Sequence, residues 1–459
     1  MKTLNFAKHC AIGLLFGMPH FSAFAADPAA GIVGKNDWLF YRHEITEAND
    51  TPATNVSIDL ISRLNRELSR NGTAMIVSMV PIKMRVYAEH LPGDIRLNDY
   101  MTNNYSRMLK QLQNAKVNVA DLNSAFMGSP LRTSDNPFFL RLDTHWAPSG
   151  SMLAAETIRA AIDNQPDLKK ALDSSSEQKF NMSWDARKVG IRSARDLVAQ
   201  LPKGAVAPGQ EEMQQFTISK PPVKGSLVDD SKGPDITLMG SSYSHAWTKF
   251  PDALRYTLQR DILAISVGAN QGTWVGMESY LSNEAFQTQR PKLIVWEMPE
   301  RDMRATPNYK FREARYVVDN MDWLVRSAAW AQSKCVPAAS SAKVEPLSLA
   351  AQGDPKGIAS TVNDFVEISF SSPAGTLDYV SARFGSGGSK QLNIELSGPA
   401  GATQQFTQRT SGDDELQNLR IALPADGKTY TKMRIKPGKS SSFSLSNVEL
   451  CRLPEDLLK

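Results

Sequence analysis

Two different periodicities divide this chain. Before residue 336, short apolar runs at 74–80, 117–122, 235–239 and 293–296 read as strands, and the amphipathic stretches 104–114 and 149–162 read as helices. Strands spaced by helices predict right-handed crossovers and a mostly parallel sheet. The first domain is therefore expected to be α/β. After residue 340 the period becomes two: 365–370, 392–396, 419–423 and 443–450 alternate apolar with polar between Gly, Ser, Pro and Asp turns. Such spacing predicts an all-β antiparallel sandwich, joined through a linker at Val336-Pro337-Ala338-Ala339-Ser340-Ser341.

The first residues follow a third pattern. Lys2 and Lys8 precede an apolar stretch that closes on Ala23-Phe24-Ala25, the layout of a cleavable export signal over residues 1–26. Its apolar core is too short to span a bilayer, so an exported protein, not itself an integral membrane protein, is expected. The mature chain then divides into residues 27–340 and 341–459. Losing the two leader lysines lowers the net charge from +4 by two, and a nearly neutral chain is a poor nucleic-acid binder. His43, His90, His145 and His245 are the only histidines left, too few for a multi-histidine metal centre. Cys335 and Cys451 form an even pair in an oxidising compartment, which reads as a disulfide gathering the C-terminal module at its junction; two free buried thiols are the alternative.

Two short stretches carry the chemistry. Asp143-Thr144-His145-Trp146 offers an imidazole with a carboxylate two positions away, just upstream of a helix that Pro148 would open. Gly240-Ser241-Ser242-Tyr243-Ser244 follows an apolar strand and places a hydroxyl at its carboxyl end, where open α/β sheets gather ligands. A serine needs a base, and that base a third group to fix its tautomer; Ser242, His145 and Asp143 can supply all three. The competing interpretation is an ordinary loop histidine beside a serine-rich turn. An ion shared by Asp143 and His145 lacks any visible third ligand, so no metal and no diffusible cofactor are expected.

These stretches, with Gly34-Lys35-Asn36-Asp37-Trp38-Leu39-Phe40, Val80-Pro81-Ile82-Lys83 and Trp296-Glu297-Met298-Pro299-Glu300-Arg301, stand in the same order as in the periplasmic alginate O-acetyltransferases of the AlgJ/AlgX group. The chain resembles the AlgX type, which carries a C-terminal carbohydrate-binding module. The resemblance implies an SGNH-hydrolase-like domain with circularly permuted motif order, followed by that module. It makes Ser242 the nucleophile, His145 the base and Asp143 its orienting partner, with Ser241 the rival nucleophile. It further implies acetylation of mannuronate residues of alginate in the periplasm, an acetyl-donating protein partner of a membrane O-acyltransferase system, and other periplasmic or outer-membrane export proteins as neighbours.

Substrate contacts are harder to read. Tyr243 and Trp146 offer rings that could stack on sugars or fill the core, and Arg301 could border the cleft. In the C-terminal module, Lys432, Arg434 and Lys436 alternate along one strand face, a row that could engage uronate carboxylates or merely face solvent. Residues 268–272 could add an oxyanion donor through Asn270 or form a plain turn. Two other functions fit the same residues: a secreted SGNH carbohydrate esterase, and a non-catalytic polysaccharide-binding scaffold of an export complex.

Overall fold

The apolar runs near residues 74, 236 and 293 become the middle of one sheet. The computed structural model describes residues 30–191, 195–221, 233–345, 358–359, 365–385, 390–410, 416–438 and 443–459; the expected export signal lies outside them. A small ribbon of β1 (Gly31–Val33) and β2 (Leu39–Tyr41) comes first. Then follow α1 (Thr51–Arg70), β3 (Ala74–Val80), α2 (Asp99–Asn114), β4 (Asn118–Ala120) and α3 (Pro148–Asp163). The helix expected from residue 104 begins earlier because Asn98 caps it, accepting from the Met101 amide. The strand expected over 117–122 is shorter, since Asp121 already caps the next helical turn.

A two-stranded hairpin, β5 (Asn181–Ile191) and β6 (Glu211–Ser219), stands apart from the main sheet. The chain returns as β7 (Ile236–Gly240), α4 (Phe250–Leu258), β8 (Ile262–Ser266), α5 (Gly272–Leu281), β9 (Leu293–Pro299) and α6 (Asn320–Ala331). The main sheet runs β4-β3-β9-β7-β8, all parallel. Alternation explains why it is covered on both faces: Val77 and Met79 pack with α1, α5 and α6, while Ile76 and Val80 pack with α3 and α4. Register pairs Val80 with Pro299 and Gly240 with Ser266, so the carboxyl ends of the strands share one edge.

Beyond α6 lie two antiparallel sheets. The first is β10 (Ala342–Glu345), β12 (Val366–Ala374), β17 (Tyr430–Pro437), β14 (Gln391–Ser397) and β15 (Thr403–Arg409); the second is β11 (Ile358–Ala359), β18 (Ser444–Arg452), β13 (Asp378–Gly385) and β16 (Gln417–Ala422). Ile368, Ile394, Ile435, Val380 and Ile421 fill the space between them. The second sheet is also fixed to the α/β domain: Tyr379, Ala422 and Cys451 join the core of α1 and α6, and Arg420 donates to Ala329 O and Gln332 O at the end of α6. Cys335 and Cys451 are bonded, with Cα atoms 5.2 Å apart. Residues expected to form a linker are paired instead: Arg452 N donates to Val336 O and Ala338 N to Leu450 O, extending the edge of β18. Their backbone groups lie beside an open strand edge, which pairing satisfies.

Candidate active site

Two loops meet above the carboxyl edge of the sheet. The first leaves β7 at Gly240, where any Cβ would lie 2.1 Å from Ser244 Oγ and 2.5 Å from Glu297 Oε2; only glycine lets the backbone pass so close. Glu297, on β9, accepts from Ser241 N at 2.8 Å, Ser241 Oγ at 2.9 Å and Ser244 Oγ at 2.9 Å. Its burial pushes the carboxyl up to about 7, the serine hydrogen bonds opposing that rise. The buried Ser241 hydroxyl is thus occupied. Ser242, only partly buried, opens a short 3-10 turn, Ser242–Ser244. A second 3-10 turn, Ala246–Thr248, follows before α4, because Lys249 at φ 64° interrupts the helical path.

The second loop is a tight hairpin tip between Phe138 and Ala147. At its end Asp143 Oδ1 accepts from His145 N at 3.0 Å and lies 2.5 Å from His145 Nδ1. Since an ionised carboxylate only accepts, Nδ1 carries the proton and Nε2 is free to accept. Ser242 Oγ lies 2.7 Å from that Nε2. Burial pushes the Asp143 carboxyl up, but the hydrogen bond and charge of His145 and the amides of Asp196 and His145 outweigh it and hold it below its usual range. Asp143, His145 and Ser242 therefore form one unbroken line, 97 residues apart in sequence at its second step. Among the described residues no acceptor meets the Ser242 amide, which leaves it available to a developing oxyanion.

Buried charges hold the hairpin tip from both sides. Lys83 Nζ donates to Leu140 O at 2.6 Å, Arg141 O at 2.9 Å and Asp143 O at 3.0 Å. Glu211, on β6, accepts from Arg141 N at 2.7 Å and Leu142 N at 3.3 Å. A buried cation and a buried anion thus grip one stretch of backbone. Burial pushes the Lys83 ammonium down to about 8, with Glu211 the chief opposing charge. Asp196 completes the frame, its Oδ1 accepting from Thr144 N at 2.8 Å and its amide donating to Asp143 Oδ2 at 2.9 Å.

Asp196 was not visible as a partner in the sequence. It brings a third potential ligand beside Asp143 and His145, yet the oxygens of both carboxylates already accept from Thr144, His145 and the Asp196 amide. Asn270 donates to Glu313 Oε2 at 3.3 Å rather than standing free as an oxyanion donor. His245 is half-buried, with Nδ1 2.8 Å from Ser266 Oγ at the end of β8.

Two of the expected sugar contacts turn inward, and a third is largely packed against them. Trp146 and Tyr243 are 0 % and 1 % exposed, so neither ring can stack on a polymer; Trp146 Nε1 donates to Tyr243 O, and the Tyr243 hydroxyl to Thr144 O. Arg301, partly buried, packs over the Tyr41 and Tyr243 rings and donates to Tyr243 Oη at 3.2 Å, bracing that hydroxyl. Lys432, Arg434 and Lys436 do share the outer face of β17, but Glu367 pairs with the first two and Glu395 with the third. The row keeps one net positive charge instead of three.

An α/β domain with a parallel sheet and a serine, a histidine and an aspartate aligned at its carboxyl edge defines an SGNH-hydrolase-like protein. The chain belongs to the family described as the SGNH hydrolase-like domain of acetyltransferase AlgX, whose model matches residues 32–300. It is 29% identical over 288 residues to the probable alginate O-acetylase AlgJ of Pseudomonas aeruginosa, covering 59% of this chain and 69% of that protein. With the alginate biosynthesis protein AlgX of Pseudomonas putida it is 27% identical over 277 residues, covering 58% of this chain and 55% of that protein. Among solved structures, Pseudomonas aeruginosa AlgX superposes with a TM-score of 0.64 at 15% identity, covering 93% of this chain and 95% of that one. The O-acetyltransferase domain of Pseudomonas putida AlgJ gives 0.53 at 24% identity, covering 65% and 98%. Both likenesses concern the fold. Among the described residues no helix is long and apolar enough to cross a membrane.

Proposed function

We propose that this protein is a periplasmic O-acetyltransferase that moves acetyl groups onto hydroxyls of mannuronate residues in alginate through an acetyl-Ser242 intermediate. The observation that carries this reading is the line from Asp143 through His145 to the hydroxyl of the partly buried Ser242 in a chain of the AlgX acetyltransferase family. Ser242 Oγ attacks the acetyl carbonyl while His145 Nε2 takes its proton and passes it to the donor's leaving group. A sugar hydroxyl then attacks the acetyl-serine ester, gives its proton to Nε2, and Ser242 Oγ recovers that proton as its ester bond breaks. Asp143 holds the imidazole in the working tautomer, and the free Ser242 amide faces the oxyanion.

The donor is a protein partner that presents acetyl groups from a membrane O-acyltransferase, since acetyl-CoA is confined to the cytoplasm. Residues 1–26 serve as the export signal, residues 27–340 as the catalytic domain, and residues 341–459 as a carbohydrate-binding module whose Lys432, Arg434 and Lys436 give a weak, salt-sensitive polymer contact. The test is transfer from a chromogenic acetyl ester to defined mannuronate oligomers. Wild type is expected to yield acetylated oligomer and Ser242→Ala none. Acetate release without any acetylated oligomer would make the protein an esterase; polymer binding without turnover would make it a scaffold.

A further inference from the structure

Trp247 is 47 % exposed, although the turn that carries it has little freedom. Thr248, itself buried, donates its hydroxyl to Tyr243 O at 2.8 Å and its amide to His245 O at 3.0 Å, and Lys249 N donates to Ala246 O at 3.1 Å. Lys249 then adopts the left-handed φ of 64°, a conformation that costs a lysine backbone energy. A rigid, strained turn holding a large bare ring gains nothing for folding from that exposure. What it does achieve is position. The indole centroid lies 4.9 Å from that of His145, the two planes at 75°, so whichever ring offers its edge, at least one indole face is left uncovered by the imidazole.

We infer that Trp247 is the platform on which the acceptor sugar stacks, fixing one of its hydroxyls at His145 Nε2. The inference rests on acyl transfer from Ser242 and adds which side chain selects a sugar over water. In the second half-reaction the attacking O–H must reach the imidazole, and a pyranose ring lying on the adjacent indole brings its hydroxyls there. An aromatic face suits the C–H face of a sugar and excludes water beneath it. Water needs no platform, so the ring biases the acetyl-serine ester toward the polysaccharide. Trp146 and Tyr243, the aromatics expected to do this, are buried, which leaves Trp247 as the exposed ring against His145.

The test uses the full mature chain, a chromogenic acetyl ester and mannuronate oligomers, with Trp247→Ala and Trp247→Phe beside wild type. Trp247→Ala is expected to raise the acceptor KM about tenfold, the factor that about 1.4 kcal/mol of ring burial corresponds to. The kcat for transfer at saturating acceptor should fall by much less, and acetate should be released at the expense of acetylated oligomer. Trp247→Phe, which keeps a ring, should recover most of the acceptor affinity. An unchanged acceptor KM in Trp247→Ala would overturn the platform alone. So would a parallel loss of ester cleavage and transfer that Trp247→Phe does not relieve, because that marks a structural role. Wild type that cleaves the ester yet acetylates no oligomer would instead remove the transferase reading, and the platform with it.

Discussion

Replacing Lys83 by methionine keeps the length of a fully buried side chain and removes its charge and three donors. Arg141 O would still receive the Leu39 amide at 2.9 Å, but Leu140 O and Asp143 O would lose their donor, and Glu211 would keep only the Arg141 guanidinium, 3.6 Å away, as its counter-charge. Leaving two buried acceptors without a donor costs about 1–3 kcal/mol each, so the variant should lose about 3–5 kcal/mol in all. For a domain of this size that lowers the melting temperature by about 10 °C. The carbonyl released at Asp143 belongs to the residue that orients His145, and a displacement of about 1 Å there costs about a hundredfold in turnover. Thermal melting, together with cleavage of a small acetyl ester, measures both effects. The double variant Lys83→Met/Glu211→Gln removes both charges and should lose about 2 kcal/mol less than the two single losses added together. A Lys83→Met protein with unchanged melting and turnover within twofold of wild type would show that the hairpin tip does not depend on the ammonium, and the clamp argument would fail.

Three further outcomes follow from the same geometry. Asp143→Asn must turn its NH2 toward either the Asp196 amide or His145, so melting should fall, and kcat for the acetyl ester should fall by about 10³–10⁴, since an amide donating to Nδ1 moves the ring proton to Nε2; retained turnover would contradict the tautomer assignment. Glu297 keeps its proton in the folded state from its ordinary value of 4.5 up to about 7, so its stabilising effect is complete below pH 4.5 and is lost as pH rises through 7, by about 3 kcal/mol. Glu297→Gln should flatten that part of the urea-midpoint profile between pH 5 and pH 8, and an identical slope in both proteins would refute the cause. Changing Cys335 and Cys451 together to serine opens a loop of 116 residues and should cost about 4–5 kcal/mol in the chain-entropy model; calorimetry showing no shift of any transition would deny the bond a stabilising role.

Periodicity revealed the fold because both domains obey it: residues 76–80 alternate between two covered faces, and 392–396 between core and solvent. The aligned side chains were legible for a different reason: a serine nucleophile needs a base, and histidine, with six in the whole chain, is scarce. What the sequence hid were partners brought in by folding. Asp196 carries no local mark, and its role exists only because its amide and carboxylate meet residues 143 and 144. Lys83 and Glu297 stand in recognisable stretches, but burial among backbone groups is what gives them work. Whether Trp146 and Tyr243 faced sugar or core stayed open because irregular loops lack a period to show which way a ring faces. The cationic row on β17 looked bare because Glu367 and Glu395 lie on β12 and β14, adjacent only through strand pairing.

The central claim concerns one covalent bond. Rapid acid quenching of the protein mixed with an acetyl ester, followed by peptide mass spectrometry, should find the acetyl group on Ser242 in wild type and nowhere in Ser242→Ala. Acetyl on a different residue, or Ser242→Ala acetylating mannuronate oligomers at the wild-type rate, would contradict the account.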